Sequence, residues 1–319
     1  MVSGEFLCAR AGKLTEAMEG ITHRAVARRL PPQFEDCYKT VTALRGSTQD
    51  ELAAAVLKTP GDLIHVHNEP NWPVSAIKAV DSRPVIMNVH DVTSARPYQH
   101  FDPYEMQAYL DADAFIFVSE EQRDFVIANV CDISSKPYCC IGNFGSHSTI
   151  IERCVLPHIG GLVYEGGADP RGAAEPWRDQ SPIADAVKDF HIYPGNPGLD
   201  YSILHDTVLD YRLLTHRLAQ HDWGYVGVPV PNEAWAHSLP NKTNEYFMAG
   251  IPIIALNAPL LKPLCDSGLG IYCHTVADVA RAAKENPKPY AKVVKSRRHQ
   301  FTMRYNIEPV LELYKQVTL

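Results

Sequence analysis

The chain has 319 residues, 45% of them hydrophobic and 21% charged, the balance of a folded globular protein with room for two domains. A formal net charge of −7 gives nucleic acid and anionic membranes nothing to be drawn to, which ranks a DNA-modifying role low. No apolar run reaches membrane-spanning length, and Met1–Arg10 lacks the charged and apolar parts of a secretory leader, so a cytoplasmic protein is expected.

In the first half, short apolar runs alternate with helical patterns, the mark of an α/β architecture with parallel sheets. Strands are expected at Glu5–Ala9, Tyr38–Leu44, Leu63–His67, Val85–His90, Ala114–Ser119 and Tyr138–Ile141, and helices at Ile21–Leu30, Asp50–Lys58 and Glu120–Val130. Ser119 followed by Glu120 and Glu121 is a good helix start, since a small cap and early acids suit the free N–H groups. Four strands run out on polar or permissive residues: His67 and Asn68, His90 and Asp91, Ser119, then Gly142 and Asn143. Ligands of open parallel sheets sit beyond the strands' carboxyl ends, so these residues line a cleft edge or else merely begin loops. His65 and His67 share one face of their strand. With no third ligand in view, packing or a cleft role is favoured over a metal pair. The eight cysteines contain no C-x-x-C pair and read as reduced thiols rather than a disulfide framework or a zinc site.

A hinge is expected in "LPHIGG", residues 156–161. A second series follows, with strands at Leu162–Glu165, His191–Tyr193, Tyr225–Val228, Pro252–Leu256 and Gly270–Cys273. Helices are expected at Ser181–Asp189, Val208–His221, Thr243–Ala249, Val276–Glu285, Tyr290–Arg304 and Ile307–Gln316. The expected fold is α/β, with two doubly wound domains facing across a cleft. The first spans 1–157, with the C-terminal helix at about 302–319 packing back on it; the second spans 158–301.

Two segments of the second series carry phosphate chemistry. The strand at 162–165 runs into "EGGADPRG", where Gly166 and Gly167 let the backbone bring N–H groups close to a ligand and Arg171 is placed to reach back over the loop. A plain Gly-Gly, Asp-Pro turn reads the same way. In "LPNKTNEYFMAGIPIIA", a helix opening near Asn241 points its free N–H groups and positive dipole end at a ligand, and Lys242 adds a full charge. Glu245 shares that side of the first turn, where its carboxylate suits ribose hydroxyls as donors. The competing reading is an Asn-led cap with a surface Lys–Glu pair.

Taken together, "LPNKTNEYFMAGIPIIA", "GLVYEGGADPRG", "DLIHVHN", "VIMNVHDV", "ADAFIFVSEEQRDFV" and "CCIGNFG" resemble, in collinear order, GT-B glycosyltransferases and most closely glycosyltransferase family 4. The resemblance implies two Rossmann-like domains and transfer of a hexosyl-type sugar from a nucleotide-diphosphate sugar, with retention and without a metal. It implies no cofactor beyond a UDP- or GDP-linked donor. Its acceptor is a hydroxyl of a glycan, a lipid-linked or small molecule or, last, DNA. By position Glu245 matches the ribose-binding acid, Arg171 a diphosphate contact, His90 the histidine near the donor sugar, and Asn143 the asparagine after the last first-domain strand. The resemblance thus casts His90, Arg171, Lys242 and Glu245 as catalytic. Gly166, Gly167, Arg171, His237, Asn241, Lys242, Thr243 and Glu245 are cast as donor-binding. Gly12, Lys13, His67, Asn68, Asp91, Ser119 and Asn143 are assigned to the acceptor side or cleft, with Gly20 beside them.

Two departures stand out. The family's second glutamate, eight positions before the ribose-binding one, is His237, and its arginine after the first loop glycine is Gly167. The rival readings are a nucleotide-sugar 2-epimerase on the same scaffold and a degenerate nucleotide-sugar-binding protein.

Overall fold

The structure is a computed structural model that describes residues 1–4, 7–46, 48–68, 70–95, 102–168, 178–194, 204–208, 210–231 and 239–319. The chain divides into two compact units, Met1–Asn143 with Met303–Leu319, and Phe144–Thr302.

The first unit holds β1 (Arg24–Ala27), β2 (Thr40–Ala43), β3 (Ile64–His67), β4 (Val85–Asn88), β5 (Ala114–Phe117) and β6 (Tyr138–Cys140). β1 pairs with β2, and β3 to β6 pair in sequence, all parallel. Val2 joins the two sets through parallel bridges to Val26 and Val66. Its N–H donates to the His65 carbonyl at 2.8 Å, and its own carbonyl accepts from His67 N–H at 2.9 Å. The lateral order is therefore β2, β1, Val2, β3, β4, β5, β6. The chain grows outward from Val2 on one side and then resumes on the other, so the topological switch lies between Val2 and β3. Ile64, Val85, Ile86, Met87, Phe115 and Phe117 are buried, as expected of strands covered on both faces.

Two expectations near the N-terminus are corrected. Ala9–Ala17 is a helix, not the end of a strand; "ARAGKLTEA" is rich in good helix formers, and strand pairing in this stretch is confined to Val2 among the described residues. Ile21–Leu30 is not a helix. Arg24–Ala27 is a strand with a parallel neighbour on each side, and burial of Ala25, Val26 and Ala27 overrides the modest helix propensity of the segment. The helices Gln49–Lys58 and Glu120–Asn129 form as expected. Thr48 and Ser119 cap them by accepting from the N–H groups of Glu51 and Gln122.

In the second unit, β7 (Leu162–Gly166), β8 (Phe190–Pro194), β9 (Trp223–Gly227), β10 (Ile253–Leu256) and β11 (Gly270–Cys273) lie in the order β8-β7-β9-β10-β11. All pairs are parallel. The switch lies between β7 and β9. Val163, Tyr193, Val226 and Ile253 pack beneath the helix Asn241–Ala249, while Leu162, Phe190, Trp223 and Ile254 pack on the other face with Ile183 and Val279.

The division between units falls at Asn143, ahead of the "LPHIGG" stretch, and Thr302 belongs to the second unit. Backbone pairing explains this. Gly145 N–H donates to Phe301 O at 2.9 Å, Ile151 N–H donates to Met248 O at 2.9 Å, and Arg298 Nη1 donates to Ile151 O at 2.7 Å. These bonds tie 144–151 to helical elements of the second unit.

Candidate functional site

In the second unit, the candidate site forms at the carboxyl end of β7, beside the switch. The helix Asn241–Ala249 is fixed there by Tyr246. Its hydroxyl accepts from Glu165 N–H at 3.1 Å and lies 3.2 Å from the carbonyls of Val163 and Tyr225. A Cβ on Gly224 would collide with the Tyr246 ring, so the ring fits only over a glycine. The helix starts after Pro240 with no side-chain cap, which corrects the Asn-led cap. Asn241 is the first helical residue and is exposed. The start of such a helix favours an anion through its dipole.

Lys242 and Gly166 come together. Lys242 Nζ stands 4.0 Å above the Tyr164 ring and 3.3 Å from where a Cβ on Gly166 would lie. Gly166 has φ +116°, a backbone conformation that favours glycine there. Thr243 is buried, with no hydrogen-bond partner for Oγ1 among the described residues. Glu245 is only 6% exposed, and Glu165 8%. Burial and then these two carboxylates push the Tyr211 phenol well above its ordinary range, so both acids face that ring. Around Gly167 the loop is closed by Tyr164, whose hydroxyl donates to Gly167 O at 2.7 Å, and by Arg178, whose guanidinium a Cβ on Gly167 would strike. Arg171 and His237 lie outside the described residues.

In the first unit, the expected strand ends do share the carboxyl edge of one sheet. His67 Nδ1 lies 2.9 Å from His90 Nε2, and Cys8 Sγ lies 3.5 Å from that same nitrogen. Burial first, then the Arg10 guanidinium, pushes His90 down to about 3; burial holds His67 well below its ordinary range. Both rings are therefore neutral at physiological pH and work as hydrogen-bonding groups, not cations. Asn68 clamps the loop after β4, its Oδ1 accepting from His90 N–H at 2.8 Å and its Nδ2 donating to Asp91 O at 2.6 Å. Asp91 is exposed. Gln122 Nε2 donates to His90 O at 3.1 Å, while Ser119 is occupied as a helix cap.

Arg10 is the residue that sequence reasoning passed over. Buried at 2% exposure, it donates through Nε to Asn88 Oδ1 at 3.0 Å, through Nη1 to Gly142 O at 2.9 Å and Asn143 Oδ1 at 2.8 Å, and through Nη2 to Ile141 O at 2.7 Å. It fixes Asn143 and the turn after β6, and burial pushes its own pKa down to about 10. Replacing Arg10 with Met should cost about 3 kcal/mol of stability by stranding buried acceptors, read as a lower urea midpoint at constant slope; an unmoved midpoint would mean that water satisfies them. Gly12 is explained by packing, since a Cβ there would collide with Phe34, and Lys13 is buried in the same helix. Gly20 is an exposed turn glycine at φ +79° with open space around it. A cavity of about 800 Å³ opens at the opposite, amino-terminal end of this sheet, lined by residues such as Thr22, Arg24, Leu63 and Arg83. It touches none of the carboxyl-edge residues, but Gly20 lines it, which separates that glycine from the acceptor-side residues.

Residues 5–143 match the model of Glycosyltransferase Family 4. No curated protein matches the chain. Among solved structures, sucrose-phosphate synthase from Thermosynechococcus elongatus aligns with 12% identity and a TM-score of 0.65, covering 99% of this chain and 98% of that one. HepE of Anabaena, solved with UDP and glucose, aligns with 13% identity and a TM-score of 0.65 over 99% and 100%. AviGT4, a glycosyltransferase of avilamycin A biosynthesis, aligns with 16% identity and a TM-score of 0.59 over 97% and 88%. The fold is that of the GT-B glycosyltransferases. The resemblance to family 4 is carried by the first unit, and the second unit shares the fold.

Proposed function

We propose that this chain transfers a sugar from a nucleoside-diphosphate sugar to an acceptor hydroxyl, with retention and without a catalytic metal. The carrying observation is the approach of Lys242 to Gly166 at the uncapped start of the Asn241 helix, with Glu245 buried in the same first turns. Breaking the sugar–phosphate bond builds negative charge on the departing diphosphate. Lys242, the helix N-terminus and the N–H groups of the glycine loop supply fixed positive partners for it, the kind of preorganised field that contributes most to such barriers. Arg171 joins them in this reading, and Arg178 adds a second guanidinium beside Gly167.

Glu245 accepts from the ribose hydroxyls of the donor. His237 takes a place beside the donor sugar, where the family has its second glutamate. A UDP-linked donor is favoured, because the structural relative HepE was solved with UDP and with UDP-glucose. Neutral His90 hydrogen-bonds a donor-sugar hydroxyl. Acceptor recognition falls to the carboxyl edge of the first sheet around His67, Asn68 and Asn143. With retention, the incoming hydroxyl attacks on the face the diphosphate leaves, and its proton passes to a departing phosphate oxygen. Among the described residues no helix is long and apolar enough to cross a membrane. A cytoplasmic location is part of the same proposal.

A nucleotide-sugar panel read by thermal shift tests the reading, since a ligand at a hundred times its dissociation constant adds about 2.7 kcal/mol. The stabilising donor should then be slowly hydrolysed to free sugar and nucleoside diphosphate. Release of a 2-epimer instead identifies the epimerase, and binding without turnover identifies a binding protein.

A further inference from the structure

We propose that the second unit carries a structural site for a divalent transition-metal ion of the zinc type, held by His191, His205 and His221. The site is separate from the donor chemistry. Asp189, His191, Gly160 and His221 all lie at or just before the amino ends of β7, β8 and β9, opposite the Gly166 end. His191, on β8, faces the same side as Tyr193. His205 is held beside β8 by its N–H, which donates to Ile192 O at 2.9 Å. One ring nitrogen from each of the three histidines falls within a sphere where all lie within 4.8 Å of one another.

Mutual closeness alone does not make a site; the orientation of the free lone pairs does. His221 Nδ1 lies 2.7 Å from Gly160 O, a contact that requires Nδ1 to carry the proton and leaves Nε2 with a lone pair. His191 Nε2 lies 2.9 Å from Asp189 Oδ1, so that nitrogen donates and Nδ1 keeps the lone pair. These are the two outer-shell arrangements that orient metal-binding histidines, a backbone carbonyl and a carboxylate. The carboxylate is itself positioned: a Cβ on Gly161, at φ +74°, would come within 2.6 Å of Asp189 Oδ2. The third nitrogen, His205 Nε2, sits 2.9 Å from His191 Nδ1. Nitrogens sharing a tetrahedral zinc at about 2.0–2.1 Å stand about 3.3 Å apart. Binding therefore asks the pair to open by a few tenths of an ångström and His205 to move its proton to Nδ1, with no net proton released.

Without metal, the lone pairs meet other donors: His205 Nε2–H faces His191 Nδ1, and the Tyr193 hydroxyl lies 3.3 Å from His221 Nε2. His205 also stacks on Tyr193, ring centroids 4.3 Å apart. Burial pushes His221 down to about 4, and His205 is lowered as well, so both rings are neutral and ready to ligate near neutral pH.

The test uses the full chain, without a polyhistidine tag, stripped by chelator and titrated with zinc chloride by calorimetry and elemental analysis. One zinc per chain is expected, with a rise in melting temperature that chelator reverses. His205→Gln, at the least buried of the three ligands, should lose at least tenfold in zinc affinity with the fold kept. Asp189→Asn, at an exposed carboxylate that touches no metal, should weaken zinc by about ten- to a hundredfold, which a packing role would not produce. Cys8→Ser should leave the zinc in place. Absence of zinc binding, or zinc unaffected by His205→Gln, or zinc lost in Cys8→Ser, overturns the proposal. The last result would move the metal to Cys8, His67 and His90, where the other trio of ligand atoms gathers.

Discussion

Acidification from about pH 7.5 to about pH 5.5 is expected to strip this protein of much of its stability, well before its carboxylates titrate. Burial depresses His90 to about 3 and His23 and His221 to about 4, and holds His65 and His67 well below their ordinary range. The sign follows from linkage. A histidine depressed in the folded state binds protons more weakly there than in the unfolded chain. Its contribution is fully present above about pH 6.5 and is lost as pH falls from there toward the folded value. Each such group costs about 1.4 kcal/mol per pH unit within that window.

The five effects add even though His65, His67 and His90 neighbour one another, because the protons are taken up by the unfolded chain, where the rings are far apart. The loss by about pH 5.5 is about 7 kcal/mol, comparable with the whole stability of an ordinary domain. Glu105 runs the other way, since burial raises its carboxyl; its effect begins near its own range and offsets little. Urea melts at stepped pH measure this directly. A midpoint that stays level between about pH 7.5 and about pH 5.5 would show these rings protonated or hydrated in the native state.

The same histidines show what the sequence could and could not reveal. His65 and His67 were visible as a same-face pair, because alternation on a strand is a local property. Their partners were not: His65 Nδ1 meets Tyr314, and His67 meets His90. The trio at 191, 205 and 221 has no motif spacing at all. It is assembled by the return of the chain to neighbouring strands. Most strands were legible from their apolar runs, since strands covered on both faces need near-continuous hydrophobicity. The N-terminal errors arose where that signal is shortest. Val2 contributes a single bridging residue, and "RAVA" is compatible with helix until its two neighbours are in place. In the site, Lys242 and Gly166, both read from the sequence as donor-binding, lie close together. Arg10 and Arg178 were missed because a buried or loop-closing guanidinium has no sequence signature apart from the residues it reaches.

Substitution of Lys242 by alanine should lower turnover about a hundred- to a thousandfold, while Glu245→Gln should chiefly weaken donor binding. The two residues sit in one helical turn yet meet different parts of the proposed donor. Lys242, at Gly166, faces the diphosphate, whose charge grows as the bond to the sugar breaks, so its loss is felt most in the transition state. In the proposed function Glu245 grips the ribose, which does not change during transfer. Losing a charged hydrogen bond there removes about 1.5–3 kcal/mol equally from ground and transition states, or about ten- to a hundredfold in donor affinity with turnover at saturation kept. Folding stability should separate a true binding role from damage. Gln keeps the size of Glu, so the melting temperature of the free protein reads any damage to the fold separately from donor affinity. A Glu245→Gln protein that melts as before, binds donor poorly and turns over normally when saturated fits the ribose role. Loss of turnover at saturation instead would place the acid in the reaction itself, and a Lys242→Ala protein with unaltered kinetics would remove the diphosphate from the Gly166 loop.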